Sequence, residues 1–348
     1  MGRYLRLTRC TPTRRTTALI LSAVALVACS PADTELRILS YNVHNLFDDV
    51  YHGTEFAGYR PGIDRWTTAD FHAKAERTAT AIRLAGDPRP ATGRITRLLN
   101  ATGFAPSLWP DVLLLQEIEN EHALSVLLGD HLARAGYRWS LMPPPTGSAF
   151  RVAVATRLPV RSARTHALYF LGRPQRDILE VELDVEGVPL TLFVNHWQSR
   201  RSGVAESTPA RLFSATAVAR RIDQLVSADA RAAAIVAGDL NMTPGELSAV
   251  AVLPLHNGWE HEEFPGSYYF RGEWSRIDQM LFTDGAVDGP FALMDFEVVS
   301  HARLRDRDGR PLPWRSGSSR GSSDHLPIQA RLRLPDGGRH APTRRPPR

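Results

Sequence analysis

The sequence is poor in cysteine and in lysine. Its 348 residues include two cysteines, Cys10 and Cys29, and a single lysine, Lys74, among 42 lysines and arginines. Both cysteines lie near the start of the chain, so no disulfide can brace the rest of it. The remainder must be held together by its hydrophobic core. A chain of this length can do so, because it buries roughly three quarters of its surface on folding.

Long hydrophobic runs, internal repeats and linkers are also missing. No apolar stretch reaches the roughly 20 residues that a membrane-spanning helix needs. No segment recurs at a fixed period, and no Pro-, Gly- or Ser-rich linker divides the middle of the chain. We therefore predict one domain over residues 36–336, followed by a disordered Pro/Arg-rich tail at 337–348.

The first segment is predicted to be a targeting signal. Met1–Arg15 carries five arginines and no acid, and Thr16–Val27 is almost wholly apolar. A basic start, a short apolar stretch and a small residue are typical of a secretory signal peptide, here residues 1–28. Its end, Leu26–Cys29 (LVAC), resembles the lipobox of bacterial lipoproteins. This resemblance implies a lipidated Cys29, a tether at 29–35 and a bacterial envelope protein on the periplasmic or extracellular side, although an ordinary signal peptide with an incidental cysteine is the alternative.

The basic charge of the chain lies at its two ends. The net charge is +5, but residues 1–28 hold five arginines and Arg339–Arg348 holds four more, which leaves the domain between them near −4. The overall charge is therefore no evidence for a nucleic-acid partner. Any attraction for a polyanion must come from local clusters of arginine.

Hydrophobic patterns predict a mixed α/β fold. Short buried or alternating runs predict strands, and apolar residues at helical spacing predict helices. Hairpins mixed with helical crossovers are typical of two packed β-sheets flanked by helices. The predicted helices are Thr68–Ala85, Glu121–Ala135 and Thr208–Val226, the last with Pro209 at its start. The predicted strands are Leu36–Val43, Asp111–Glu117, Arg138–Leu141, Arg151–Thr156, Asp177–Val185, Leu190–Asn195, Ala233–Ala237, Arg276–Phe282, Phe296–Val299 and Pro327–Leu334.

Six polar motifs follow or end predicted strands. One such motif is more often a solvated strand end or a helix cap than a catalytic group. Six in one chain indicate side chains that converge on one rim of a sheet sandwich. They are Tyr41-Asn42, Gln116-Glu117, Asn195-His196, Gly238-Asp239-Leu240-Asn241, Arg276-Ile277-Asp278-Gln279 and Ser322-Ser323-Asp324-His325.

The order and wording of these motifs resemble the endonuclease/exonuclease/phosphatase family, which includes DNase I-like nucleases, inositol-phosphate phosphatases and neutral sphingomyelinases. The resemblance runs from about Leu36 to Leu334, and its most specific parts are Gly-Asp-x-Asn at 238–241 and Ser-Asp-His at 323–325. It implies a DNase I-like four-layer α/β sandwich, two packed mixed β-sheets flanked by helices. It also implies hydrolysis of a phosphate ester with a divalent metal.

The resemblance assigns the metal to Glu117, with Asn42 beside it and Asp324 as a second ligand or an orienting group. A site with few carboxylates that leaves room for water and substrate oxygens suits Mg²⁺. Mn²⁺ and Ca²⁺ remain alternatives.

The catalytic roles follow from the charge of a phosphodiester, which repels an attacking hydroxide and so requires a base and donors to the phosphoryl oxygens. By family resemblance Asp239 activates the water and Asn241 holds the water or the phosphate. His196 and His325 donate hydrogen bonds, and Asp278 orients one of these histidines. The sequence leaves open which aspartate serves which histidine.

Two histidines separate this chain from the apurinic endonucleases of the family. His196 stands where those enzymes have asparagine, and His44 where they often have an acid. The arrangement is more similar to DNase I-type nucleases and sphingomyelinases. We expect His44 to be structural. Arg176 matches a position where relatives keep a phosphate-binding arginine.

Arginines near the motifs favour a nucleic-acid substrate. Asn195–Arg201 resembles a signature of bacterial exported endonucleases, and Arg200, Arg201 and Arg211 are predicted to bind substrate. The segment His301–Arg320 holds six arginines and Trp314, which could contact a phosphate backbone and stack on a base. DNA and RNA, and endo- and exonucleolytic cleavage, remain equally compatible with the sequence.

Two other classes of function remain as alternatives. One is a phospholipid or sphingomyelin phosphodiesterase, or a small-molecule phosphatase. A membrane-active enzyme should expose an apolar hairpin, for which Tyr268–Phe270 is the candidate. The other is a catalytically inactive surface binding protein on the same scaffold, although every matched position retains a competent side chain. We expect a monomer.

Overall fold

The computed structural model describes residues 8–9, 34–86, 109–250 and 255–335. The predicted signal peptide apart from Thr8–Arg9, the lipidation site Cys29 and the predicted tail at 337–348 lie outside these residues. Within the described ranges, no helix is both long enough and apolar enough to cross a membrane.

Seventeen strands and five α-helices make up the described structure. The helices are α1 (Thr68–Ala85), α2 (Glu121–Val126), α3 (Val204–Ala228), α4 (Pro244–Val250) and α5 (Asp284–Val287). The strands are β1 (Thr8–Arg9), β2 (Thr34–Leu46), β3 (Val112–Ile118), β4 (Trp139–Leu141), β5 (Arg151–Thr156), β6 (Val160–His166), β7 (Tyr169–Phe170), β8 (Arg173–Pro174), β9 (Ile178–Val185), β10 (Val188–His196), β11 (Ala234–Asp239), β12 (His256–Asn257), β13 (Tyr268–Phe270), β14 (Glu273–Ser275), β15 (Asp278–Phe282), β16 (Ala292–Val298) and β17 (Ile328–Leu334).

Two mixed sheets form the centre of the molecule. One has the order β1-β4-β5-β3-β2-β17-β16 and the other β12-β15-β11-β10-β9-β6. The pairs β2–β3 and β10–β11 are parallel, and the other pairs in these sheets are antiparallel. The central strands of the two sheets pack on each other. Helix α1 packs outside the first sheet and α3 outside the second. The predicted four-layer α/β sandwich is confirmed.

Side-chain alternation along the strands decides which residues face the space between the sheets. In β11, Ile235 and Ala237 belong to the core between the sheets, whereas Ala234 and Val236 pack toward α3. Because successive side chains point to opposite faces, Asp239 continues the inward series of Ile235 and Ala237. The same alternation points His196 of β10 inward after Leu192 and Val194. The strand ends therefore deliver polar groups to a common rim.

Two predicted helix boundaries are wrong. Helix α3 begins at Val204, four residues before its predicted start, and contains Pro209. The extra turn is held by Arg211, whose guanidinium donates to the Val204 carbonyl and to the Ser207 and Thr208 hydroxyls. The predicted helix Glu121–Ala135 stops being α-helical after Val126 and continues as one π turn and one 3₁₀ turn.

Gly238 is required by the close pairing of β10 and β11. Its φ is +132°, and an added Cβ would lie 1.9 Å from the carbonyl oxygen of Asn195. We expect Gly238→Ala to lower the free energy of unfolding by about 3 kcal/mol, because the two strands must separate to admit the methyl group. Chemical denaturation measures the loss. Gly245→Ala, in helix α4 with open space around it, is the control and should leave stability unchanged or slightly higher. Equal stability of the two variants would contradict this account.

Candidate active site

The strand register brings three predicted site residues side by side. His196 of β10 is the pairing partner of Asp239 in β11, and Asp239 is in turn the partner of Asp278 in β15. The other sheet contributes Asn42 from β2 and Glu117 from β3. Both sheets thus end at one rim, as the sequence predicted.

Asn42 links the two sheets at this rim. Its Nδ2 lies 3.1 Å from Oδ2 of Asp239 in the opposite sheet and 3.3 Å from Oε1 of Glu117 in its own sheet. The amide oxygen of Asn42 accepts the backbone N–H of His44 at 3.0 Å. In this orientation the Asn42 amide nitrogen donates to the two carboxylates, and the role of Asn42 as a metal ligand stays a prediction.

His325 is oriented by Asp278. Its Nδ1 lies 2.8 Å from Oδ2 of Asp278, which also accepts the Ser267 hydroxyl at 2.5 Å. The Tyr268 ring packs on the imidazole with centroids 4.6 Å apart. Burial opposes the charged imidazole, but the Asp278 carboxylate outweighs it and raises the pKa of His325 to about 10. Asp278 is therefore the aspartate that orients His325, an assignment that the sequence left open.

His196 has the opposite electrostatic environment. It is fully buried, and burial followed by the nearby Arg176 charge holds its pKa well below the ordinary value. Its Nε2 lies 3.6 Å from Oδ2 of Asp239 and 3.8 Å from Oε1 of Glu117. The site therefore combines a neutral imidazole with an imidazolium, two hydrogen-bonding groups of different charge.

Backbone conformations with positive φ concentrate at this rim. Glu117 has φ +64° and Asn241 has φ +51°, while His44 and Asn45 have φ +55° and +63°. Non-glycine residues adopt this region at a cost, and such residues cluster at functional sites. Here the turn after Asn42 lets the Asn45 N–H donate to Oε2 of Glu117 at 2.9 Å, which fixes that carboxylate toward the rim.

The residues fit a divalent metal. Asp239, Asp278 and His325 each offer a ligand atom, and these atoms lie within 4.8 Å of one another. Burial raises the pKa of Asp239, and the charge of the neighbouring His325 opposes that rise. Glu117 adds a carboxylate next to Asn42. Buried carboxylates gathered at this spacing, with Glu117 beside them, form a donor set for a divalent cation.

Asp324 lies at the edge of this set. Its Oδ1 is 3.5 Å from Nδ1 of His44 and 3.9 Å from Nε2 of His325. Asp324 is therefore close to both histidines but outside the Asp239–Asp278–His325 group. His44 is mostly buried and faces this carboxylate, which agrees with a structural histidine.

Asn241 and the predicted arginines have distinct placements. Asn241 donates from Nδ2 to the Trp197 carbonyl at 3.2 Å, and Arg176 reaches the same carbonyl at 2.7 Å. Arg176 and His196 also line a cavity of about 10 Å³, which has room for about one water molecule. Arg200 binds the Asn241 carbonyl and Glu246. It holds the Asp239–Asn241 turn and does not face solvent freely.

Arg211 and Trp314 do not lie where substrate contact was expected. Arg211 is fully buried and its guanidinium is bonded to the first turn of α3. Trp314 is buried against Trp66, with ring centroids 5.3 Å apart. Arg201, by contrast, is exposed and lies 5.9 Å from the partly exposed Phe56 ring. Of the three arginines after His196, Arg201 is the one available to substrate.

Lys74 is a site residue that the motifs did not reveal. It is fully buried in α1, and its Nζ donates to the carbonyls of Val43 at 2.6 Å and of Ser322. Val43 precedes His44, and Ser322 begins the turn that carries Asp324 and His325. Lys74 therefore clamps the two backbone segments that meet at the rim. The only sequence signal was that the single lysine lies on the apolar face of a helix.

The geometry defines a class of enzyme. A four-layer sandwich whose rim gathers buried carboxylates, a charged and a neutral histidine and an arginine is suited to metal-dependent hydrolysis of phosphate esters. Residues 37–333 match the family described as Endonuclease/Exonuclease/phosphatase family. The chain belongs to this family of DNase I-like phosphoesterases.

Solved structures support the fold. TDP2 from Caenorhabditis elegans has a TM-score of 0.55 at 16% identity, covering 87% of this chain and 75% of that one. A mannosyl-6-phosphatase from Bacteroides thetaiotaomicron has a TM-score of 0.52 at 16% identity, covering 85% and 99%. TDP2 from D. rerio, complexed with a single-strand DNA product, has a TM-score of 0.50 at 15% identity, covering 86% and 99%. No curated protein matches the chain in sequence.

The Asp278–His325 pair predicts a pH dependence. Without its anion, the His325 imidazolium releases its proton at lower pH, so Asp278→Asn should lower the pKa of His325 from about 10. We expect the alkaline limb of the pH–rate profile for a simple phosphodiester to move down by at least about one unit. Ser267→Ala keeps the carboxylate and is the control, with a smaller shift. If the alkaline limb did not move in Asp278→Asn, the proposal that Asp278 keeps His325 an imidazolium would be wrong.

The Lys74 clamp predicts a loss of both stability and activity. Lys74→Met leaves two buried carbonyls without a donor, which should cost about 3 kcal/mol of unfolding free energy. It should also lower kcat on a simple phosphodiester, because the turn holding His325 loses its support. Denaturation and steady-state kinetics measure the two effects. Arg83→Met, on the exposed face of the same helix, should change neither, and a Lys74→Met variant with normal stability would contradict the clamp.

Proposed function

We propose that the protein is an exported, membrane-anchored nuclease that hydrolyses phosphodiester bonds of DNA or RNA. A divalent cation, for which Mg²⁺ is the first candidate, would be held by Glu117 and Asp239, the two carboxylates that the Asn42 amide joins. When bound, it supplies charge stabilisation at the phosphoryl oxygens and acidifies water.

The side chains of the site accept the proton of the attacking water, donate hydrogen bonds to the phosphoryl oxygens and bind the phosphate. Asp239, the buried carboxylate with raised pKa, accepts a proton from the attacking water and is oriented by the Asn42 amide. His325 donates from its imidazolium to a phosphoryl oxygen, where negative charge increases in the transition state. Neutral His196 donates a second hydrogen bond. Asn241 holds the water or the phosphate, and Arg176, whose charge acts on the neighbouring His196, binds a phosphoryl oxygen.

A basic cavity beside the turn Ser322–His325 favours a nucleic-acid polymer over a small phosphate ester as the substrate. A cavity of about 200 Å³ is lined by Arg77, Arg303 and Arg320 together with Ser322, the first residue of that turn. A single phosphate monoester needs no positive groups beyond the scissile phosphate, whereas a nucleic-acid backbone brings further phosphates. Arg201 and Phe56 add a cation and an aromatic face on the exposed surface.

Relatives with this fold act on both kinds of substrate. One neighbour is a TDP2 complexed with a single-strand DNA product, and another is a mannosyl-6-phosphatase. The DNA complex supports a nucleic-acid substrate for this chain. Because another neighbour is a phosphatase, the test below also includes small phosphate esters as substrates.

Exposed apolar hairpins favour a second candidate, a phospholipid phosphodiesterase. Leu171 and Tyr169 on the β7–β8 hairpin are 85% and 63% exposed, and Phe270 on the β13–β14 hairpin is 56% exposed. Such side chains could enter a lipid surface. They are few and separate, so we rank this function second.

The location of the enzyme rests on its first segment. The basic and apolar residues before Cys29 support export, and the Leu26–Cys29 motif supports a lipid anchor. Labelling with a fatty-acid analogue tests this part of the proposal. Cys29→Ser should lose the label and release the protein from the membrane fraction, and retention of both would contradict the anchor.

The substrate is tested on residues 30–338 with supercoiled DNA, single-stranded RNA, phospholipid vesicles and sugar phosphates, each with Mg²⁺ and with chelator. We expect metal-dependent nucleic-acid cleavage that His325→Ala loses. Turnover of phospholipid or sugar phosphate with no action on nucleic acid would reassign the substrate and keep the mechanism. Absence of metal-dependent turnover on every substrate would favour an inactive binding protein.

The basic cavity makes a separate prediction. Arg303→Ala combined with Arg320→Ala should raise KM for DNA roughly tenfold and reduce the slope of log affinity against log salt by about 0.9 for each phosphate that is no longer neutralised. Hydrolysis of bis-p-nitrophenyl phosphate should not change. Arg307→Ala, exposed on the same segment but outside the cavity lining, is the control. An unaltered salt slope in the double variant would exclude this cavity from substrate binding.

A further inference from the structure

A second cluster of metal-binding side chains lies next to the catalytic rim. Asp48 follows β2, Glu119 follows β3, and His52 belongs to the loop after Asp48. Each offers a ligand atom, and these atoms lie within 4.8 Å of one another. Asp48 and Glu119 are 2% and 5% exposed, whereas the side chain of His52 is half exposed. The cluster shares no residue with the Asp239–Asp278–His325 group.

The buried carboxylates of the cluster lie close to one another and to the His52 imidazole. Among the described residues, no lysine or arginine forms an ion pair with Asp48, Glu55 or Glu119. The nearby Arg151 donates to the backbone carbonyl of Glu119 and pairs with the Glu121 carboxylate. Buried carboxylates at this spacing repel each other and are costly unless a cation or a proton joins them.

Glu119 also has an oxygen that no donor reaches. Its Oε2 accepts the backbone N–H of Asp48 at 2.7 Å, whereas its Oε1 is buried and accepts from no donor, and the carboxyl group of Glu119 approaches that of Glu55. The carboxylate that carries this oxygen faces Asp48 and His52 across the short separation of the cluster. A buried carboxylate oxygen that no donor reaches, on a residue of this cluster, is a position that a bound cation would satisfy.

Neighbouring groups already orient the ligands. Oδ2 of Asp48 accepts the Asn120 amide at 2.8 Å and Oδ1 accepts the Val50 N–H at 2.8 Å. Asn120 is itself fixed as the N-cap of α2, where its side chain accepts from Ala123. Glu55 accepts the N–H groups of His52 and Gly53, which holds the loop beneath His52. Such outer contacts orient metal ligands and tune their affinity.

We propose that Asp48, His52 and Glu119 bind a second divalent cation, separate from the catalytic one. Two carboxylates and one imidazole favour Mn²⁺ or Zn²⁺ over Mg²⁺ or Ca²⁺, because the hard alkaline-earth ions prefer oxygen ligands alone. The ion joins the loop after β2 to the end of β3, the two strands that carry Asn42 and Glu117. Its role is structural, and the inference does not depend on the substrate.

The test requires the catalytic ligands to be removed first. In the mature chain with Glu117→Gln and Asp239→Asn, stripped with chelator, titration with Mn²⁺ or Zn²⁺ is followed by calorimetry and by thermal unfolding. We expect one ion per chain and a rise in Tm of about 5 °C at saturating metal. Mg²⁺ and Ca²⁺ should bind more weakly.

Variants within that background assign the ion to the cluster. Asp48→Asn should abolish binding, and His52→Gln should weaken it at least about tenfold. Because His52 is half exposed, its substitution keeps the result interpretable if Asp48→Asn does not fold. His122→Gln, a nearby exposed histidine whose Nε2 lies 3.9 Å from Asp49, is the matched control and should bind normally. Absence of a bound ion in the background, or unchanged affinity in His52→Gln, would overturn the proposal and leave a shared proton as the link between the carboxylates.

Discussion

The contact between Asn42 and Asp239 is the interaction on which the site depends, because it joins the ends of the two sheets. Several carboxylates come together at this rim, and burying them side by side costs free energy. The protein offsets this cost by hydrogen bonding rather than by ion pairs with arginine. Asn42 donates to two carboxylates and the Asn45 N–H donates to Glu117. The carboxylate oxygens that these hydrogen bonds hold at the rim make it receptive to a cation.

The local backbone conformation also holds polar groups at the rim. The positive φ values of Glu117 and Asn241 turn the chain at the strand ends, so that polar groups remain at the rim instead of continuing along the pleat. Gly238 allows the parallel strands β10 and β11 to approach, which sets the register of His196 against Asp239. Lys74 then fixes the turn bearing His325 to the strand bearing Asn42. Strain at the rim is thus tolerated because buried contacts on all sides hold it.

Electrostatics separates the two histidines, which are equivalent in the sequence. His325 gains a carboxylate partner, which raises its pKa and keeps it an imidazolium. Burial and the nearby arginines lower the pKa of His196 and keep it neutral. This division depends on the pairing of β11 with β15, which brings Asp278 into the site. The family fold is compatible with phosphodiester and phosphomonoester substrates alike. The nucleic-acid substrate that we propose therefore rests on the arginines of the surface around the rim.

The sequence by itself determined the sandwich, most strand positions and the membership of Asn42, Glu117, His196, Asp239, Asp278 and His325 in one site. Period-two alternation and strand-terminal motifs are local properties, so they can be read without coordinates. Only the tertiary structure decided that Arg211 and Trp314 are buried, that Asn42 donates to carboxylates and that Asp278 contacts His325. It also decided that Lys74 joins two backbone segments at the rim and that Glu119 lies beside Asp48 and His52. These facts depend on which distant segments meet, and packing between layers overrides local signals such as the helix start expected near Pro209.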